Sequence, residues 1–146
     1  MIPVVLLHAL GSSARTWETF AAGLPRTSIA LDLPGHGTGP PPHAPMPLPE
    51  PPARPAEPVD FDWAVVEPVF RTVRTPDPAW WAALADITAD TLWLAGGPTS
   101  HVDQSRIHDA AARMPSARVV EVPAGHRIHS EAPDEFAAVV VPFLTE

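Results

Sequence analysis

A chain of 146 residues with formal charge -8 and no cysteine is sized for one ordinary domain, with disulfides, thiolate nucleophiles and cysteine metal sites ruled out. Its nine arginines are dispersed through an acidic sequence, so it lacks the clustered basic surface that nucleic acid or an anionic membrane requires. No apolar run approaches the ~20 residues that span a bilayer and no basic leader opens MIPVVLLHAL, so no membrane partner is expected and the chain reads as cytoplasmic.

VVLL, Val4 to Leu7, is continuous and β-branched at its start, the pattern of a strand buried on both faces of a parallel sheet. Ser12 or Ser13 is placed to cap the helix in ARTWETFAAGL, where Trp17, Phe20, Ala21 and Leu24 recur at helical spacing before Pro25 ends it. SIALDL, Ser28 to Leu33, is a second strand, closed by Pro34, Gly35 and Gly37. The three elements make a β-α-β unit.

From Gly39 to Pro58 ten of twenty residues are proline. Such a run has few backbone donors for a helix or ladder and reads as an extended connector between a part spanning 1-38 and a part spanning 59-146. FDWAVVEPVFRTV could follow as a helix with Trp63, Val66, Val69 and Phe70 on one face, kinked or broken at Pro68. Asp77 and Pro78 look like the cap and first turn of a helix carrying Trp80, Trp81, Leu84 and Ile87. TLWLAGG, the amphipathic SRIHDAAARM, and ARVVEV then give strand, helix and strand, and Glu131 to Leu144 closes the chain as a helix with Phe136, Val139, Val140 and Phe143 inward. Strands alternating with helices predict an α/β fold with a parallel sheet.

Taken together, three segments resemble the α/β-hydrolase superfamily of serine esterases and lipases. VVLLHALGSS resembles its strand and oxyanion loop, ALDLPGHG its next strand and turn, and VVEVPAGHRIHSEAPDEFAAVVVPFL its last strand, histidine loop and final helix; TLWLAGGPTSHVDQ fits the strand before the acid loop. The family's nucleophile sits in a G-x-S-x-G elbow, whose strained turn exposes it beside the donors that meet the developing oxyanion. No G-x-S-x-G occurs here. The prolines stand where a block of roughly 100 residues would lie in a domain of about 250, so the resemblance implies one shortened hydrolase-like domain over 1-146.

The resemblance places His126, in AGH after a strand, at the general base, and makes Asp103 the candidate for its orienting carboxylate, since Thr99 stands where the family commonly has an aspartate. Capping of SRIHDAAARM is the competing use of Asp103. Backbone N-H groups at Ala9 and Leu10 match the oxyanion loop, and His8, Gly11 and Gly96 would line the pocket. His36 reads as a turn residue. His43, His101, His108 and His129 show no recognised metal spacing, although His101 and His108 could share a helix face, and neither metal nor cofactor is expected. Of the tryptophans, Trp17 and Trp93 read as core and the Trp80-Trp81 pair as a shield at a pocket mouth.

With four strands left, pairing the third beside the first avoids a gap and predicts the order 2-1-3-4, with a switch-point crevice gathering His8, Leu10, Gly96 and His126. The function implied is that of a relative of carboxylic-ester hydrolases without its nucleophile. The alternatives are a noncatalytic module, binding a small apolar or ester ligand in the crevice or a second copy through an exposed strand edge, and a gene-deletion product with no selected role.

Overall fold

The computed structural model describes residues 3–41, 59, 61–62, 65–66, 69–71 and 77–145. Most of the proline connector, with His43 and Trp63, lies outside the described residues. The chain divides into two compact units, Met1–Pro76 and Asp77–Glu146.

In the first unit β1, Val4–Leu7, runs parallel to β2, Ser28–Leu31, in a register that sets Val4 against Ser28 and Leu7 against Leu31. The crossover is a 3-10 turn, Ala14–Trp17, followed by α1, Glu18–Gly23. Helix α1 stops because Leu24 precedes Pro25 and is extended, at φ -74° and ψ 134°. Side chains alternate across a strand, so Leu6 is buried while Val5, Leu7, Ile29 and Leu31 are 45 to 54% exposed on the other face. The sequence reads VVLL as buried on both faces; the structure buries one, because no layer of described residues covers the other. Helical residues at Val66 and at 69–71 fall where the Pro68-interrupted helix is expected.

The second unit opens with α2, Pro78–Ala83, capped as expected by Asp77, whose Oδ1 accepts the Ala79 N-H at 2.8 Å. A 3-10 turn, Leu84–Asp86, leads to β3, Thr91–Ala95, which pairs in parallel with β4, Ala117–Glu121, across the intervening α3, Gln104–Ala111. Leu84, Ala110 and Met114 form the buried centre, with Trp81, Trp93 and Ala117 packed on it. Trp93 is also held by its Nε1, which donates to the Met114 Sδ at 3.4 Å. The tryptophan pair divides, Trp81 lying against this core while Trp80 is 59% exposed.

The closing helix is two helices. α4, Ile128–Glu131, ends at Ala132 (φ -140°, ψ 65°), and α5, Pro133–Thr145, begins at the proline. Proline steers the preceding residue out of the helical region and is itself suited to a helix's first position, so the start expected at Glu131 moves to Pro133. Phe136, Val139, Val140 and Phe143 are half-buried, with the Arg118 guanidinium 5.0 Å from the Phe143 ring centre.

The fold is thus mixed α/β with short parallel strands. Its ladders form two pairs, β1 with β2 and β3 with β4, rather than one continuous four-stranded sheet. Each pair brackets its own helical crossover, which is enough for local closure of a β-α-β unit.

Candidate functional site

Two loops of the first unit lie against each other, one after β1 and one after β2. His8, buried, accepts the Leu33 N-H on Nε2 at 3.0 Å and has Nδ1 2.9 Å from the Ala9 carbonyl oxygen. His36, also buried, accepts the Gly11 N-H on Nε2 at 3.3 Å, with Nδ1 3.1 Å from the Pro34 oxygen. A ring nitrogen that accepts from a backbone N-H carries no proton, so in both rings the proton sits on Nδ1 and donates to the carbonyl. Each loop therefore supplies the histidine that binds the other loop's backbone. The rings stand 4.9 Å apart, and Phe61 stacks on His36 at 5.9 Å.

Asp32 adds a third tie. Its Oδ1 accepts the Ala14 N-H at 2.7 Å, and its Oδ2 accepts the N-H and hydroxyl of Thr38 at 2.8 and 2.9 Å. The Ala14 bond, followed by the two Thr38 bonds, holds the carboxyl down to about 2. Gly37 is confined to glycine, since a Cβ there would strike the Asp32 carboxylate. The serine cap expected for the first helix is corrected here: Ser13 stands at the N-cap without a side-chain cap bond, and Asp32, 18 residues away, caps Ala14 instead. Gly11 lines a cleft of 510 Å³ with Ser12, Ser13, Arg15, Thr16, Val59 and Phe61. Ala9 and Leu10, which precede Gly11, are exposed; the Ala9 oxygen accepts the Ser12 N-H, and the Gly11 N-H is committed to His36.

In the second unit the loops after β3 and β4 are fastened by glycine. The Gly125 N-H donates to the Gly96 oxygen at 2.9 Å, and a Cβ on Gly96 would collide with the Gly125 carbonyl. The Gly97 N-H donates to the Gln104 Oε1 at 3.1 Å, tying the first loop to α3. His126 is exposed at the rim of a cleft of 390 Å³ that Thr99, His101, Ala124, Gly125, Arg127 and Glu131 also line. Its ring centre lies 4.3 Å from that of His101, the planes tilted by 49°.

Asp103 is the N-cap of α3. Its Oδ1 accepts the hydroxyl of Ser105 at 2.8 Å and the Ser105 N-H at 3.0 Å, and these bonds, the hydroxyl first, lower its carboxyl below the ordinary range. Next to the site, desolvation and then the Arg127 charge push His129 below the ordinary imidazole value. Among the described residues no group of three or more histidine, aspartate or glutamate side chains could hold a metal ion, and no helix is long and apolar enough to cross a membrane.

The candidate residues therefore fall in two groups: His8, Ala9, Leu10 and Gly11 in the first unit, and Gly96, Asp103 and His126 in the second. Sequence reasoning misses Asp32, which reads simply as the end of a strand, and the pairing of His101 with His126. Sequence spacing links His101 to His108, whereas the contact crosses two loops brought together by the parallel pairing of β3 and β4 and by the Gly125–Gly96 hydrogen bond.

Among characterised proteins, a 34-residue stretch, 23% of this chain, is 50% identical to Esterase Rv0045c of Mycobacterium tuberculosis (strain ATCC 25618 / H37Rv) and spans 11% of that protein. No family model matches the chain, and no solved structure matches it.

Proposed function

We propose that the protein is a shortened α/β relative of the carboxylic-ester hydrolases that keeps the rim of an ester-binding cleft without turnover through a serine triad. The observation that carries the reading is the 50% identity over 34 residues with an esterase, in a chain whose sequence has no G-x-S-x-G. A general base works only within hydrogen-bond reach of the group it deprotonates. The ring neighbour described for His126 is another imidazole, and the Asp103 carboxylate is engaged at a helix cap. In this reading, in the second unit His126 is the descendant of the base, Asp103 the residual acid candidate and Gly96 a pocket residue; in the first unit Ala9 and Leu10 are the remains of the oxyanion loop, with His8 and Gly11 as pocket residues, for a small apolar or ester ligand.

The test is hydrolysis of a short-chain p-nitrophenyl ester by the purified chain. The expected rate equals that of buffer containing free imidazole, unchanged in His126→Ala. Turnover well above that background and abolished by His126→Ala would overturn the reading.

A second reading, a noncatalytic module that associates with its own copy, is favoured by one observation: Val5, Leu7, Ile29 and Leu31 place four half-exposed aliphatic side chains on one sheet face.

A further inference from the structure

The pair His101 and His126 has no use in the hydrolase reading, which gives His126 alone a role. The two imidazoles come from different loops, one after β3 and one after β4, and those loops are fixed by backbone. Gly125 donates to Gly96, Gly97 is bound to Gln104, and Gly96 leaves no room for a Cβ against Gly125. The rings are thus brought together by the sheet rather than by their own flexibility. Both residues are exposed on one cleft of 390 Å³, so a small ion has access to both rings.

Imidazole is a good ligand for late first-row divalent ions, and geometry selects among them. With metal–nitrogen bonds of ~2.0–2.1 Å, two imidazoles at right angles on one ion hold their ring centres roughly 4.5 Å apart, whereas a tetrahedral angle spreads them to roughly 5.2 Å. The observed separation is 4.3 Å, nearer the right-angle value than the tetrahedral one and short enough for one ion to take a nitrogen from each ring. Tetragonal nitrogen and oxygen coordination is preferred by Cu2+ and Ni2+, and Cu2+ is bound most tightly of the divalent series. Arg127, which lines the same cleft, is paired with Glu131 at 2.5 Å, which offsets its repulsion.

We propose that His101 and His126 form a two-histidine site for one Cu2+ ion, the remaining coordination positions being filled by water or a small anionic ligand. The site does not depend on the esterase reading, which concerns turnover alone. His8, His36 and His129 fit less well. His8 and His36 have both ring nitrogens in hydrogen bonds, and His129 sits half-buried against Phe136 at 6.2 Å.

The experiment is a titration of the full chain with Cu2+, followed by electron paramagnetic resonance. Wild type is expected to bind one tight ion with hyperfine structure from two nitrogens. His101→Ala and His126→Ala should each weaken binding by about tenfold or more and leave one nitrogen, while His43→Ala and His108→Ala bind as wild type; thermal melts of all four confirm that the fold is kept. Equal binding by wild type and His101→Ala, or loss of the tight ion in His43→Ala or His108→Ala, would refute the site.

Discussion

Asp32 shows how much one side chain does in the first unit. It follows β2 directly, caps the turn at Ala14 and holds Thr38, so three donors converge on one carboxylate. Because those bonds lower its pKa from 3.8 to about 2, the folded chain takes up this proton less readily than the unfolded one. The stability they contribute is fully present above pH 3.8 and is lost as pH falls through about 2. Asp32→Ala should therefore melt at a lower temperature than wild type near neutral pH, and the gap should close as pH falls across that window, measured by circular dichroism. A gap that stays constant down to about pH 2 would mean that the charged form of Asp32 does not carry the effect. The motif ALDLPGHG announces a strand and a turn, but sequence contains no sign that its aspartate caps a helix 18 residues earlier. Such a cap is a tertiary contact, whereas Asp77, which caps the helix that follows it, is visible by local order alone.

At the scale of elements, the loops after β3 and β4 depend on a close backbone approach that a single atom can undo. A Cβ on Gly96 meets the Gly125 carbonyl, and the neighbouring Ala95 is fully buried. Gly96→Ala should destabilise the protein by ~3 kcal/mol, as overpacking against backbone does. Gly23→Ala is the matched comparison, since nothing lies within 4 Å of its Cβ position, and it should be neutral or stabilising by ~0.4–1 kcal/mol. Urea denaturation of both variants reads the difference, and similar midpoints would remove the argument for a glycine-dependent loop junction. The start of α5 is decided at this scale too: Pro133 breaks the apolar helical pattern into two pieces, a boundary visible in sequence once the restriction on Ala132 is considered.

For the whole molecule, the consequential feature is the exposed face of the β1–β2 pair. Val5 and Leu7 on one strand lie beside Ile29 and Leu31 on the next, making an aliphatic stripe of a kind that monomeric proteins seldom leave uncovered. If a second copy covers it, sedimentation velocity should show a dimer whose fraction rises with concentration, and the double variant Leu7→Asp with Leu31→Asp should remain monomeric and folded. A wild-type chain that stays monomeric across the concentration range, or a dimer unaffected by the double variant, would exclude this face as the interface.

The order of elements was settled by sequence alone. Apolar runs, caps and prolines act over a few residues, so the four strands, the helices between them and the Asp77 cap follow from local rules, as does the absence of a G-x-S-x-G elbow. Tertiary structure decided which faces are covered and which side chains meet: one open face on β1, Asp32 at a distant cap, His8 and His36 each binding the other's loop, and His101 beside His126 rather than His108. The reason is physical. Hydrophobic periodicity and proline geometry are encoded in neighbours along the chain, whereas burial and hydrogen-bond pairing depend on which backbones the parallel pairing brings alongside one another.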